Sequence, residues 1–207
     1  MTYATLKSRV SSEMKRGELS ASATAVRSAI IDSIEHWSRR RFTWNEFNDV
    51  SASVSATYIS YADLGVHPVR LDSVKVIVGS RNYPLDARSF DELDDMDAGN
   101  YTGYPDFYAL HSQKMRLYPA PNQAMTVVMA GVRKLEEISA QATGSASNAW
   151  SGEGEQIVRL MAKSFLFRDE LHDHGSAQVF ATEAERIAAE IQRETAHQTG
   201  GRIRGHW

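Results

Sequence analysis

The chain changes its apolar period twice. Near its start, Tyr3, Leu6, Val10 and Met14 recur at helical spacing, and a second stripe runs through Val26, Ile30, Ile34 and Trp37, widened by Ala29 and Ile31. From Phe42 the period falls to two. Val50, Ala52 and Val54 alternate with Ser51, Ser53 and Ser55, and Val74, Val76 and Val78 alternate with Lys75 and Ile77. From Glu155 the helical period returns through Ile157, Leu160, Met161, Ser164 and Phe165, then through Phe180, Ala184, Ile187, Ala188 and Ile191. A helix with one apolar face needs a surface to bury it. Packing the first helices on the last buries all the stripes at once and leaves the strands as an insertion. The expected fold class is therefore α+β, mainly α: a helical bundle from the N- and C-terminal helices with an inserted β-rich subdomain and an extended C-terminal arm.

Local signals set the boundaries. Residues 1–41 form the first helices of the bundle, 42–139 the β-rich subdomain with a short acidic helix, 140–197 a loop and the last helices, and 198–207 the arm. Gly17 is a stop for the first helix, and Ser20 or Ser22 an N-cap for the second. Gly79-Ser80-Arg81-Asn82 reads as a turn, with Tyr83-Pro84-Leu85 leading out of it. Ser89-Phe90-Asp91-Glu92 is a capping-box pattern and predicts a helix over 90–96. Residues 99–105 read as a loop. Residues 107–110 and 115–118 read as a hairpin, and Pro119 and Pro121 mark a strand end or edge. Thr126, Val127, Val128 and Val132 support a strand over 125–133. Residues 140–149, small and polar, read as a flexible loop. His174-Gly175 is expected to break the helix that begins near Glu155, and Thr199-Gly200-Gly201 to end the last one.

Composition narrows the function. The 207 residues include no cysteine, which excludes disulfides and thiolate metal sites and suits a reducing compartment. The net charge is −3, so no global basic field draws the chain to nucleic acid. No apolar run approaches a membrane span, and the N-terminus lacks the apolar core of a signal peptide, so a soluble protein made in a cytoplasm is expected. No nucleophile motif, phosphate loop or zinc spacing is present. His172 and His174 lie beside Asp169, Glu170 and Asp173, but residues two apart diverge on a helix, so a polar helix end is expected there. Neither metal nor cofactor is implied.

A series of short motifs occurs in a telling order. Arg41-Phe42-Thr43-Trp44-Asn45-Glu46 follows an early helix. Leu71-Asp72-Ser73-Val74, Tyr83-Pro84-Leu85 and Phe90-Asp91-Glu92-Leu93 come next. Pro105-Asp106-Phe107-Tyr108, Leu117-Tyr118-Pro119-Ala120-Pro121 and Arg168-Asp169-Glu170-Leu171 complete the series. In this order, over about residues 25–175, the chain resembles the head-to-tail adaptor (connector) proteins of tailed bacteriophages. That resemblance implies a structural virion protein rather than an enzyme. It implies a homo-oligomeric ring, commonly a dodecamer, beneath the portal protein, with a tail or neck protein below. It also implies genomic DNA passing through the lumen without sequence-specific binding, no membrane, and a place at the head-tail junction of the virion after assembly in the host cytoplasm.

Three groups of residues are candidates for such contacts. Arg39, Arg40 and Arg41 with Glu46 could sit at a subunit interface, where Arg pairs bidentately with a neighbour's carboxylate. The architectural use of the same stretch packs Phe42 and Trp44 as cross-strand core residues. Between residues 86 and 97 six acids face one base, a balance of −5. Asp91, Glu92, Asp94, Asp95 and Asp97 could line a channel that repels phosphate; otherwise they are a solvated short helix. The arm carries Arg202, Ile203, Arg204, His206 and Trp207, with arginines alternating around Ile203 and a tryptophan of the type enriched at binding hot spots. It is expected to bind the portal or a neighbouring subunit, or else to be a frayed terminus. Two other classes stand beside the adaptor: a cell-wall-degrading glycosidase using a carboxylate pair, and a DNA-binding bundle, which the acidic balance disfavours.

Overall fold

The computed structural model describes residues 2–14, 22–97, 101–135 and 148–199. They fall into two compact units, one of Met1–Trp44 with Leu135–Trp207 and one of Asn45–Lys134. The first is helical and the second is built of sheets, a mixed α+β chain in which N- and C-terminal helices pack together around an insertion in the sequence.

Helix α1 spans Tyr3–Glu13, with the Thr2 hydroxyl accepting from the Thr5 N–H; α2 spans Ala23–Ser38, with Ser22 as its N-cap. Helices α5, Glu155–Asp169, and α6, His174–Thr199, complete the unit. Helix α1 packs on α2 and α5, α2 on α5, and α5 on α6. The expected stripes are the buried ones: Leu6, Val10 and Met14; Val26, Ile30, Ile34 and Trp37; Ile157, Leu160 and Met161; Ala184, Ile187 and Ala188. Phe165, Phe180 and Ile191 are partly buried against them. Two hydroxyls tie the helices across this core, Ser33 donating to the Val158 carbonyl at 3.0 Å and Ser164 to the Ala177 carbonyl at 2.8 Å.

Two expectations are corrected here. His174-Gly175 begins α6 rather than breaking its predecessor. The break lies just before it, where His172 takes a left-handed φ of 51° and the Asp173 carboxylate accepts from the Ser176 N–H at 3.0 Å. An Asp N-cap outweighs the weak helix propensity of a glycine in the first turn. Phe42 and Trp44 are not cross-strand residues. They stack in the helical unit, ring centroids 4.7 Å apart and nearly parallel, with Trp150 edge-on to both at 5.8 Å. Trp150 is fully buried, and its backbone N–H donates to the Asn148 side chain at 2.9 Å.

In the second unit, β1 (Glu46–Val54), β3 (His67–Val78), β4 (Arg81–Pro84) and β10 (Met125–Lys134) form an antiparallel sheet in the order β1-β10-β3-β4. Phe47 pairs with Gly131, and the next pair is Val50 with Met129. One extra residue on β1 lies between them, and Asp49 has φ 56°. This bulge turns Phe47 onto the face of Val50, Ala52 and Val54 despite its odd spacing. Strand β2 (Tyr58–Ser60) and helix α3 (Tyr61–Leu64) escaped the periodicity because each is so short.

A second sheet has the order β2-β8-β7-β5, from β5 (Asp86–Ala87), β7 (Phe107–His111) and β8 (Lys114–Tyr118). The β7–β8 hairpin closes through Ser112 and Gln113, both at positive φ, the backbone of a primed turn. Helix α4, Phe90–Met96, falls where the capping box predicts it. Part of the expected 99–105 loop is instead β6 (Thr102–Gly103), parallel to β9 (Ala120–Pro121). The turn after β3 is Gly79-Ser80 alone, since Arg81 and Asn82 already pair with Val78 and Ile77. Val54, Val74, Val76, Met115, Leu117, Val127 and Met129 lie in this unit's core.

Candidate interaction surfaces

The arginine run at the end of α2 serves its own subunit first. Arg39 is the exposed C-cap of α2, where a cation suits the helix dipole. Arg40 grips Glu185 of α6 bidentately, at 2.6 and 2.9 Å, and its guanidinium carbon lies 4.6 Å from the Trp37 ring centroid. His36 Nε2 lies 3.3 Å from the same carboxylate. The hydrogen bonds from Arg40 hold the Glu185 carboxyl below the ordinary Glu range against the opposing effect of burial. Arg41 is half-buried, and Glu46, also half-buried, opens β1 in the other unit.

The acidic segment is likewise partly committed. Ser89 and Glu92 make both bonds of the capping box, the Ser89 N–H donating to Glu92 at 2.9 Å and the Glu92 N–H to the Ser89 hydroxyl at 3.2 Å. The Ser89 N–H and the Ser89 hydroxyl, which both donate to the Glu92 carboxylate, lower its pKa. Asp94 and Asp97 both accept from Arg116 of β8, Asp97 at 2.9 Å. Arg116 is 3 % exposed, with Met115 and Leu117 buried on either side of it. Burial pulls its pKa down, but the two aspartates more than reverse that, so the guanidinium stays charged. Asp91 and Asp95 are exposed and form no ion pair among the described residues. Sequence reasoning missed Arg116. Its alternation on β8 marked it as facing away from Met115, and only the covering of that face by an acidic helix makes it a buried cation.

The arm residues Arg202, Ile203, Arg204, His206 and Trp207 lie outside the described residues, as does most of the expected 140–149 loop. Among the described residues no group of three or more His, Asp or Glu side chains could hold a metal ion, and no helix is long and apolar enough to cross a membrane.

No curated protein matches the chain. The family model described as SU10 adaptor protein matches residues 1–204, nearly the whole length and both units. Its members are phage head-tail adaptors, a family of structural proteins. The chain belongs to the SU10 adaptor protein family.

Proposed function

We propose that the chain is a ring subunit seated beneath the portal, joining the capsid to the tail and extending the DNA channel. The family match over residues 1–204 carries this reading. Head-to-tail contacts close into a ring when the rotation between neighbours allows it. The ring is a homo-oligomer, commonly of twelve copies, with the portal protein above and a tail or neck protein below. It occupies the head-tail junction of the virion after assembly in the host cytoplasm. Genomic DNA passes through it without sequence-specific contact, in keeping with a net charge of −3.

Within the ring, Arg39, Arg40, Arg41 and Glu46 are the interface candidates, and Arg40 also pairs with Glu185 of its own subunit. Residues 202–207 reach the portal or a neighbouring subunit. Of the acids offered for the channel wall, Asp91 and Asp95 are the two not already engaged in the cap or with Arg116. Mixing the purified chain with its portal tests the reading. Co-sedimentation and a ring in electron micrographs are expected, with no lysis of purified peptidoglycan. Failure of the two proteins to co-sediment would sink it.

A further inference from the structure

The second unit carries a small cavity of ≈ 220 Å³ lined by Tyr58, Phe90, His111, Ser112, Lys114 and Arg116. It is smaller than the roughly 300–1,000 Å³ of sites that enclose drug-sized ligands, and its size suits one side chain. Half of its lining residues are aromatic. Phe90 and His111 lie with ring centroids 4.7 Å apart, and Tyr58 is 46 % exposed. A buried cation lies against these walls. The Arg116 guanidinium carbon is 5.0 Å from the Phe90 centroid and 5.6 Å from that of Tyr58, and its Nε has no hydrogen-bond partner among the described residues. Beside it α4 presents Asp91 and Asp95 with no cation paired to them among the described residues.

We propose that this cavity is the socket for residues 202–207 of a neighbouring copy, with the Trp207 indole seated against Arg116 and with Arg202 and Arg204 meeting Asp91 and Asp95. The inference rests on the ring reading and names the partner surface of its arm. Three observations select the occupant. Indole is the best ring for a guanidinium to stack against, and Arg116 is desolvated and fixed in place by two carboxylates. Among the residues outside the described ones, the arm is the stretch that combines a tryptophan with closely spaced arginines and no acid, so its charge complements α4. The eight residues that follow Thr199 of α6 would span up to roughly 29 Å if extended, at about 3.3–3.6 Å each, a reach suited to a neighbour. In this assembly Asp91 and Asp95 face the arm, so the socket replaces the channel wall as the use of α4.

The absence of cysteine makes the test direct. One full-length chain carries Lys114→Cys at the cavity rim and another carries His206→Cys. The two are mixed and oxidised. A disulfide-linked heterodimer is expected, and its loss is expected when Trp207→Ala is added to the arm-bearing chain. Moving the first cysteine to exposed Val179 on α6 should also lose it. As a second reading, a labelled peptide of residues 198–207 titrated into the full chain should bind saturably, and its Trp207→Ala form should not. A heterodimer no stronger than with Val179→Cys, or one indifferent to Trp207→Ala, overturns the socket. So does a disulfide formed only within a doubly substituted chain. Portal co-sedimentation of the same variants separates the two failures: rings without the cross-link leave the adaptor reading standing, and the cross-link without portal binding does the reverse.

Discussion

Single residues set local geometry that composition does not reveal. Gly131 sits where β10 meets a bulge in β3, and a Cβ there would lie 2.1 Å from the Arg70 carbonyl oxygen. Because the obstacle is backbone, Gly131→Ala should cost about 1–3 kcal/mol, read as a lower denaturant midpoint. An unchanged midpoint would mean that the bulge relaxes freely. Arg116 poses the opposite problem, a charge that must stay paired. Replacing both Asp94 and Asp97 with Asn leaves the guanidinium buried and uncompensated. The expected loss is about 3 kcal/mol, the low end for a broken buried pair because Asp94 is half exposed. Unfolding followed on the second unit's tyrosines checks it, and a loss below 1 kcal/mol would show that solvent reaches Arg116. Neither residue was legible in the sequence. Gly131 is one glycine among 13, and Arg116 looks like any strand arginine until α4 is placed over it. Trp150 was missed for a related reason. It has no periodic neighbours, and its burial depends on Phe42 and Trp44, far away along the chain.

At the scale of elements the sequence was far more informative, because a helix face repeats its signal every turn. The stripes of α1, α2, α5 and α6 could all be read from spacing, and the capping box placed α4. Elements too short to repeat, such as β2, α3 and β6, gave no such signal, and the α5–α6 break went to Asp173 rather than to the glycine after it. The helical core has a direct measure. Ile30→Ala and Leu160→Ala should each cost roughly 2–5 kcal/mol, Ile30 the more because it is wholly enclosed while Leu160 retains 9 % exposure. Thermal stability unmoved by either would mean that the faces are misassigned. Helix-to-helix ion pairs add a pH dependence. Burial would raise the Glu13 carboxyl, but hydrogen bonds from Lys163 and Arg159 outweigh it and hold it below the ordinary value; Arg40 does the same for Glu185. Both groups bind protons less readily folded than unfolded. Their stabilisation is complete above the unfolded Glu value of ~4.3 and is lost as pH falls through the lower folded values. Glu13→Gln with Glu185→Gln should therefore flatten the acid limb of the stability profile and leave its slope near neutrality unchanged. An acid limb as steep as in the unsubstituted chain would count against these pairs.

For the whole molecule, the order of elements was legible and the surfaces were not. Two period changes were enough to place helices on either side of a strand insertion, because burying an apolar stripe is a demand each helix makes on its own. Interfaces make no such repeated demand. The arginines at the end of α2 looked like an interface, yet Arg40 is spoken for by α6. The acids of α4 looked like a free wall, yet Glu92, Asp94 and Asp97 serve the fold. The composition of the stretch beyond Thr199 suits it to act between molecules. Gly200, Gly201 and Gly205 disfavour a helix, and Ile203 and Trp207 are too few to form a core of their own. Deleting residues 202–207 should thus leave the melting temperature of the isolated subunit unchanged while weakening both ring formation and portal binding. Because Arg202 and Arg204 supply the arm's charge, raising the salt concentration should weaken assembly of the full chain more than that of the truncated one. Calorimetry on the subunit and sedimentation of its mixture with portal give the two readings. Equal assembly with and without the arm, at every salt concentration, would reduce residues 202–207 to a frayed end.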